Sequence, residues 1–105
     1  MTSKTLAVRD GEGRIVGRIR TDREADYTRP AADADAGILR ERLYALKSGK
    51  WVHAWYSIWQ RGQSQYVVGD VLYLVSPELA VDLIAAWGYE LPDSLAHLAP
   101  MLEGR

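Results

Sequence analysis

The sequence predicts an α+β domain: an antiparallel sheet of about four strands, in β-β-α-β-β-α order, with two main helices mostly on one face. Three observations lead there. The N-terminal segment alternates apolar and polar residues around a glycine-containing turn. Ser76 to Gly88 carries a full set of helix start and stop signals. The stretch between is dense in β-branched and aromatic residues. A chain of 105 residues fits one domain, residues 1–105.

TLAVRDGEGRIVGRIRT reads as a β-hairpin. Leu6 and Val8 alternate with Thr5, Ala7 and Arg9, and Ile15 and Ile19 alternate with Arg14, Val16, Arg18 and Arg20. Asp10-Gly11-Glu12-Gly13 supplies residues that tolerate positive φ, as a tight turn requires. Thr21–Ala32 is polar, lacks a period and contains Pro30, so a loop is expected. DADAGILRERLYALKSGK predicts the first main helix. Asp33 or Asp35 would cap it, Leu39, Leu43 and Leu46 would form the buried stripe, and Gly49 would end it. QSQYVVGDVLYLV predicts a strand rich in Val and Tyr, with a bulge or bend at Gly69-Asp70. In SPELAVDLIAAWGYEL, Ser76 caps the second main helix, Pro77 takes its first position, and Ala80, Leu83, Ile84 and Trp87 share a face. A short helical turn is expected from Asp93 to Ala99.

The remaining segment, WVHAWYSIW, holds three of the four tryptophans, each four positions from the next. That spacing fits both periods. On a helix, Trp51, Trp55 and Trp59 would span an arc of about 80° and be core. On a strand they would share a face with His53 and Ser57, while Val52, Ala54, Tyr56 and Ile58 took the other. The residue types favour the strand, and Arg61-Gly62-Gln63-Ser64 then suits a hairpin loop. A strand with two apolar faces needs cover on both. In a small domain this points either to dense packing or to completion by another chain.

Composition narrows the function classes. Apolar residues make up 48% and charged residues 26%, as in soluble globular proteins. No apolar run approaches the ~18 residues of a membrane span, no leader pattern precedes the first strand, and a cytoplasmic location is expected. The absence of cysteine excludes disulfides, thiolate chemistry and cysteine metal sites. Net charge is −1, but it is split: residues 1–50 carry eleven basic and eight acidic side chains, residues 51–105 two and six. That average does not argue for nucleic-acid binding, although a basic patch in the first half remains open.

A catalytic constellation is not legible. His53 and His97 have no histidine or acidic partner at metal-ligand spacing except Asp93, four residues before His97, which reads as a surface pair. Asp70 or Asp82 could meet His53 in space, and Ser57 near His53 lacks an orienting acid. GEGRIVG runs into a strand and so lacks the helix terminus of a phosphate loop. Arg14, Arg18 and Arg20 fall on one expected strand face with Arg9 nearby. They suit an anion, or a solvated face balanced by Asp10, Glu12, Asp22 and Glu24.

SGKW, followed later by VVGDVLYL, faintly resembles the ASCH domains, RNA-associated β-barrels with a Gly-Lys near one strand and a Gly-Asp before another. The acidic and Arg positions that usually follow the Gly-Lys are not evident, and the N-terminal hairpin has no place in that pattern. Neither fold nor function is therefore taken from it. GDVLYLVSPELAVDLIAAWGYEL resembles a strand–helix–Gly unit of small phage and plasmid proteins, which implies a mobile-element origin.

The resulting expectation is a non-enzymatic protein-interaction module, either a homodimer or a small inhibitor or accessory subunit. Trp51, Trp55, Trp59 and Tyr73 would meet the partner, and no cofactor or metal is expected. The first alternative is nucleic-acid binding through Arg9, Arg14, Arg18 and Arg20 with exposed indoles. The second is a small-ligand or enzymatic site around His53.

Overall fold

The computed structural model describes residues 5–30, 37–100 and 102, with side chains throughout these except at 37–39, 56–61 and 65–70. It is built on one mixed sheet of six strands: β1 (Thr5–Arg9), β2 (Ile15–Arg20), β3 (Tyr27–Thr28), β4 (Gly37–Ala45), β5 (Trp51–Arg61) and β6 (Ser64–Val75). Helix α1 (Pro77–Ala86) and a 3-10 turn (Asp93–Leu98) complete it. The strand order is β2-β1-β6-β5-β4-β3. Neighbours are antiparallel except β1 and β6, which run parallel and pair at Arg9 and Tyr73.

This corrects the expected four-stranded antiparallel sheet with two main helices. The first expected helix is strand β4. Its leucines, four and three apart, satisfied a helical stripe, but nine residues from Gly37 to Ala45 pair in unbroken register with β5. Adjacent Leu43 and Tyr44 are both fully buried, in different core clusters, as alternation across a sheet allows. Asp33 and Asp35, the expected caps, lie outside the described residues. The expected loop from Thr21 contains the two-residue strand β3, and its last residues, 31 and 32, also lie outside the description.

Other elements form as their residues dictate. In the β1–β2 turn the Asp10 carboxylate accepts from the backbone N–H groups of Glu12 (2.9 Å) and Arg14 (3.0 Å), and Gly13 takes φ of 83°. The tryptophan segment is strand β5. Gly69 and Asp70 together stand opposite Tyr56, because Trp55 pairs with Val71 and Ser57 with Val68; this is the bulge the sequence predicts. The hydroxyl of Ser76 accepts from the Leu79 N–H at 3.2 Å, Pro77 opens α1, and Gly88 takes φ of 87° beyond its end.

Each face of the sheet carries a core cluster. On one face Ala80 and Ile84 of α1 pack with Leu43, Trp51 and Leu95. On the other face lie Val8, Tyr44, Val52, Ala54 and Leu72, buried to 2% or less with no helix among them. The second cluster is enclosed by curling of the sheet. Residues 21–26 join β2 at one edge to β3 at the other. A flat sheet would hold those edges roughly 24 Å apart, close to the fully extended reach of the link, about 25 Å. The link bends at Thr21–Arg23 and packs Ala25 against the cluster, so the edges must turn toward each other.

The fold is also long, 56 Å against 33 and 30 Å across, with a radius of gyration of 15.7 Å. A compact chain of this length would have about 13 Å. Strands β5 and β6, eleven and twelve residues long, account for much of this. Among the described residues, both clusters draw on β5 no further than Ala54, and the hairpin continues about 23 Å beyond Trp55 to its turn at Gly62.

Candidate functional site

Register places a row of aromatic and ionisable side chains on the α1 side of the sheet. Glu41, Leu43 and Ala45 of β4 stand beside Trp55, His53 and Trp51 of β5, which stand beside Val71, Tyr73 and Val75 of β6. Along β5 the row passes from buried Trp51 to partly buried His53 and Trp55.

At the helix end, Trp51 is 5% exposed and belongs to the core. Tyr27 packs on it with ring centroids 6.0 Å apart and meets Tyr89 edge-on at 5.2 Å. The Tyr89 hydroxyl donates to the Thr28 carbonyl at 2.7 Å and so ties the segment after α1 to β3. Burial, and secondarily the charge of Asp26, raise the Tyr27 phenol above its ordinary value.

One step along, His53 Nε2 lies 3.0 Å from Glu41 Oε1, and Arg29 Nη1 lies 3.0 Å from Glu41 Oε2. The His53 and Glu41 side chains are only 14% and 15% exposed, so the carboxylate bridges two partners in a largely dry setting. The imidazole also contacts Trp55 at 4.8 Å and Trp87 of the helix end at 6.2 Å. One step further, Trp55 stacks on Tyr73 with centroids 5.4 Å apart and planes 15° from parallel. Both are half-buried, and neither belongs to the two core clusters.

Of the four aromatic residues expected to meet a partner, the structure brings Trp55 and Tyr73 together, assigns Trp51 to the core, and leaves the Trp59 side chain outside the described residues. The acid seen to meet His53 is Glu41, whereas Asp82 stands exposed on α1 and the side chain of Asp70 lies outside the described residues. The sequence singles out neither Arg29 nor Glu41, and it places Trp87 only on the apolar face of α1. Reading residues 37–45 as a strand would have exposed the Glu41–His53 diagonal, since Leu43 pairs with His53. The Ser57 side chain is outside the description. Among the described residues, no three acidic or histidine side chains gather as a metal site would require, and no helix is long and apolar enough to cross a membrane.

The expected arginine face is divided. The ladder between β1 and β2 shifts between Val8 and Arg9, which inserts an extra residue, Val16, into β2. Alternation therefore does not carry from Arg18 and Arg20 back to Arg14. Arg9 donates to the Gly13 carbonyl at 2.7 Å, Arg14 pairs with Glu12 at 3.4 Å, and Arg20 holds Asp22 through two contacts of 3.2 and 3.1 Å. The hydrogen bond to Arg20 lowers the Asp22 carboxyl below its ordinary value and raises the Arg20 guanidinium.

No family model matches this chain, and no curated protein or solved structure matches it significantly.

Proposed function

We propose that the protein is a non-enzymatic interaction module, an inhibitor or accessory subunit, that meets a protein partner through the aromatic row beyond α1. The observation that carries this reading is the Trp55–Tyr73 stack, half-buried at the root of a long three-stranded arm and outside both cores. Stacked Trp and Tyr present large rigid surfaces at low entropic cost, the chemistry of interface anchors. Glu41, bridging Arg29 and His53, fixes the orientation of the ring that Trp55 leans on.

The test is capture by the full chain from an extract of its source cells, together with light scattering. Wild type is compared with Trp55→Ala and Tyr73→Ala after circular dichroism confirms folding. The reading predicts a discrete partner, or a second copy, lost in both variants. A strictly monomeric protein that captures nothing, or one whose complexes survive both substitutions, would overturn it.

A further inference from the structure

A second surface lies on the opposite edge of the sheet and does not depend on the aromatic row. Strand β2 is the terminal strand, five of its six residues are exposed, and among the described residues no backbone bond joins it to anything but β1. It carries two large apolar side chains in the open, Ile15 at 62% and Val16 at 50% exposure. Beside it runs a groove of about 300 Å³ with aliphatic walls including Val16, Ile19 and Leu74, and with Arg18 and Lys50 among its lining. Gly17 also lines this groove, and a Cβ built on it would meet nothing within 4 Å.

The charges define the occupant. Arg14, Arg20 and Arg23 each have an acidic partner, whereas Arg18 and Lys50 have none among the described residues. A second copy of β2 would bring arginines against arginines, since IVGRIR contains no acid, and facing like charges destabilise a strand pair. The groove has no aromatic side chain among its lining residues, so it offers no platform for stacking bases. Aliphatic walls with two unneutralised cations beside an open strand edge fit an extended segment that alternates aliphatic and acidic residues.

We propose that the β2 edge docks such an acidic, aliphatic segment of a partner protein, added to the sheet as a further strand along Gly17–Arg20. The irregularity at Val16 limits regular pairing to that stretch, and alternation there turns Ile19 to the groove and Arg18 to the other face of β2, so aliphatic side chains seated in the groove and carboxylates on Arg18 supply the selectivity, with Lys50 adding positive potential at the groove.

The experiment is fluorescence anisotropy on the full chain. Its probe is a short labelled peptide of alternating valine and aspartate; a valine–lysine peptide and a thymidine oligonucleotide of matching charge serve as controls. Gly17→Leu fills the groove, and the exposed pair Arg18→Glu/Lys50→Glu reverses its charge without touching either core. The proposal predicts saturable binding of the valine–aspartate peptide, weakened by roughly tenfold or more in each variant, with the valine–lysine peptide preferred by the charge-reversed protein. No saturable binding, binding unchanged in the charge-reversed protein, or oligonucleotide binding as tight as that of the peptide would overturn it.

Discussion

Trp51 and Trp55 lie on the same strand and the same face, four residues apart, and differ in what stands above them. Trp51 lies beneath α1, against Ala80, Ile84 and Leu95, and is nearly removed from water. Trp55 lies past the reach of that core and contacts His53 and, by stacking, Tyr73. Ten helical residues span about 15 Å, fewer than five strand residues at ~3.3 Å each. The sheet is longer than the element that packs on it. One residue type is thus core at one end of the row and only partly covered at the other, and the boundary falls at the His53–Glu41 pair.

The comparison can be broken most forcefully at its two ends. Trp51→Ala should cost about 3–5 kcal/mol in urea unfolding, the cost of a large cavity in a packed cluster. Trp55→Ala should cost less than half as much, because the indole is only partly buried and lies outside both clusters, and equal losses would erase the distinction. At the boundary, Glu41→Ala should cost about 2–3 kcal/mol by leaving the largely buried His53 and the Arg29 guanidinium without their shared acceptor. Removing the cap of α1 with Ser76→Ala should cost about 1 kcal/mol, and near-UV circular dichroism should report a change at Trp51 rather than Trp55.

The smallest effect is a pH dependence at the covered end. The Tyr27 phenol is raised in the folded state, so its contribution is fully present below the ordinary tyrosine value of 10.0 and is lost as pH rises through the higher folded value. Stability should decline above about pH 10, and Tyr27→Phe should remove that part of the decline; an unchanged slope would place the phenol in water.

What the sequence disclosed follows the strength of local chemistry. The β1–β2 turn, the Gly69-Asp70 bulge and the Ser76-Pro77 start of α1 are each set by residues within a few positions, and each is where the sequence predicts. Strand β4 is not decided locally. Leu39 and Leu43 within it and Leu46 just beyond it satisfy a helical period, and the deciding partner, β5, is reached only through pairing in space. The same error concealed the Glu41–His53 contact, since on a helix Glu41 would have been a solvated charge. The expected arginine face divides for a different reason: one extra residue, Val16, breaks the alternation that would group Arg14 with Arg18 and Arg20.

Tryptophan quenching reads the difference between Trp51 and Trp55 at the indoles themselves. Acrylamide quenching is measured on wild type, Trp51→Phe and Trp55→Phe, each confirmed folded. The difference spectrum for Trp51→Phe should be blue-shifted and protected, and that for Trp55→Phe red-shifted and readily quenched. Equal protection of the two indoles would contradict the account, because the aromatic row would then be core along its whole length and would offer nothing to a partner.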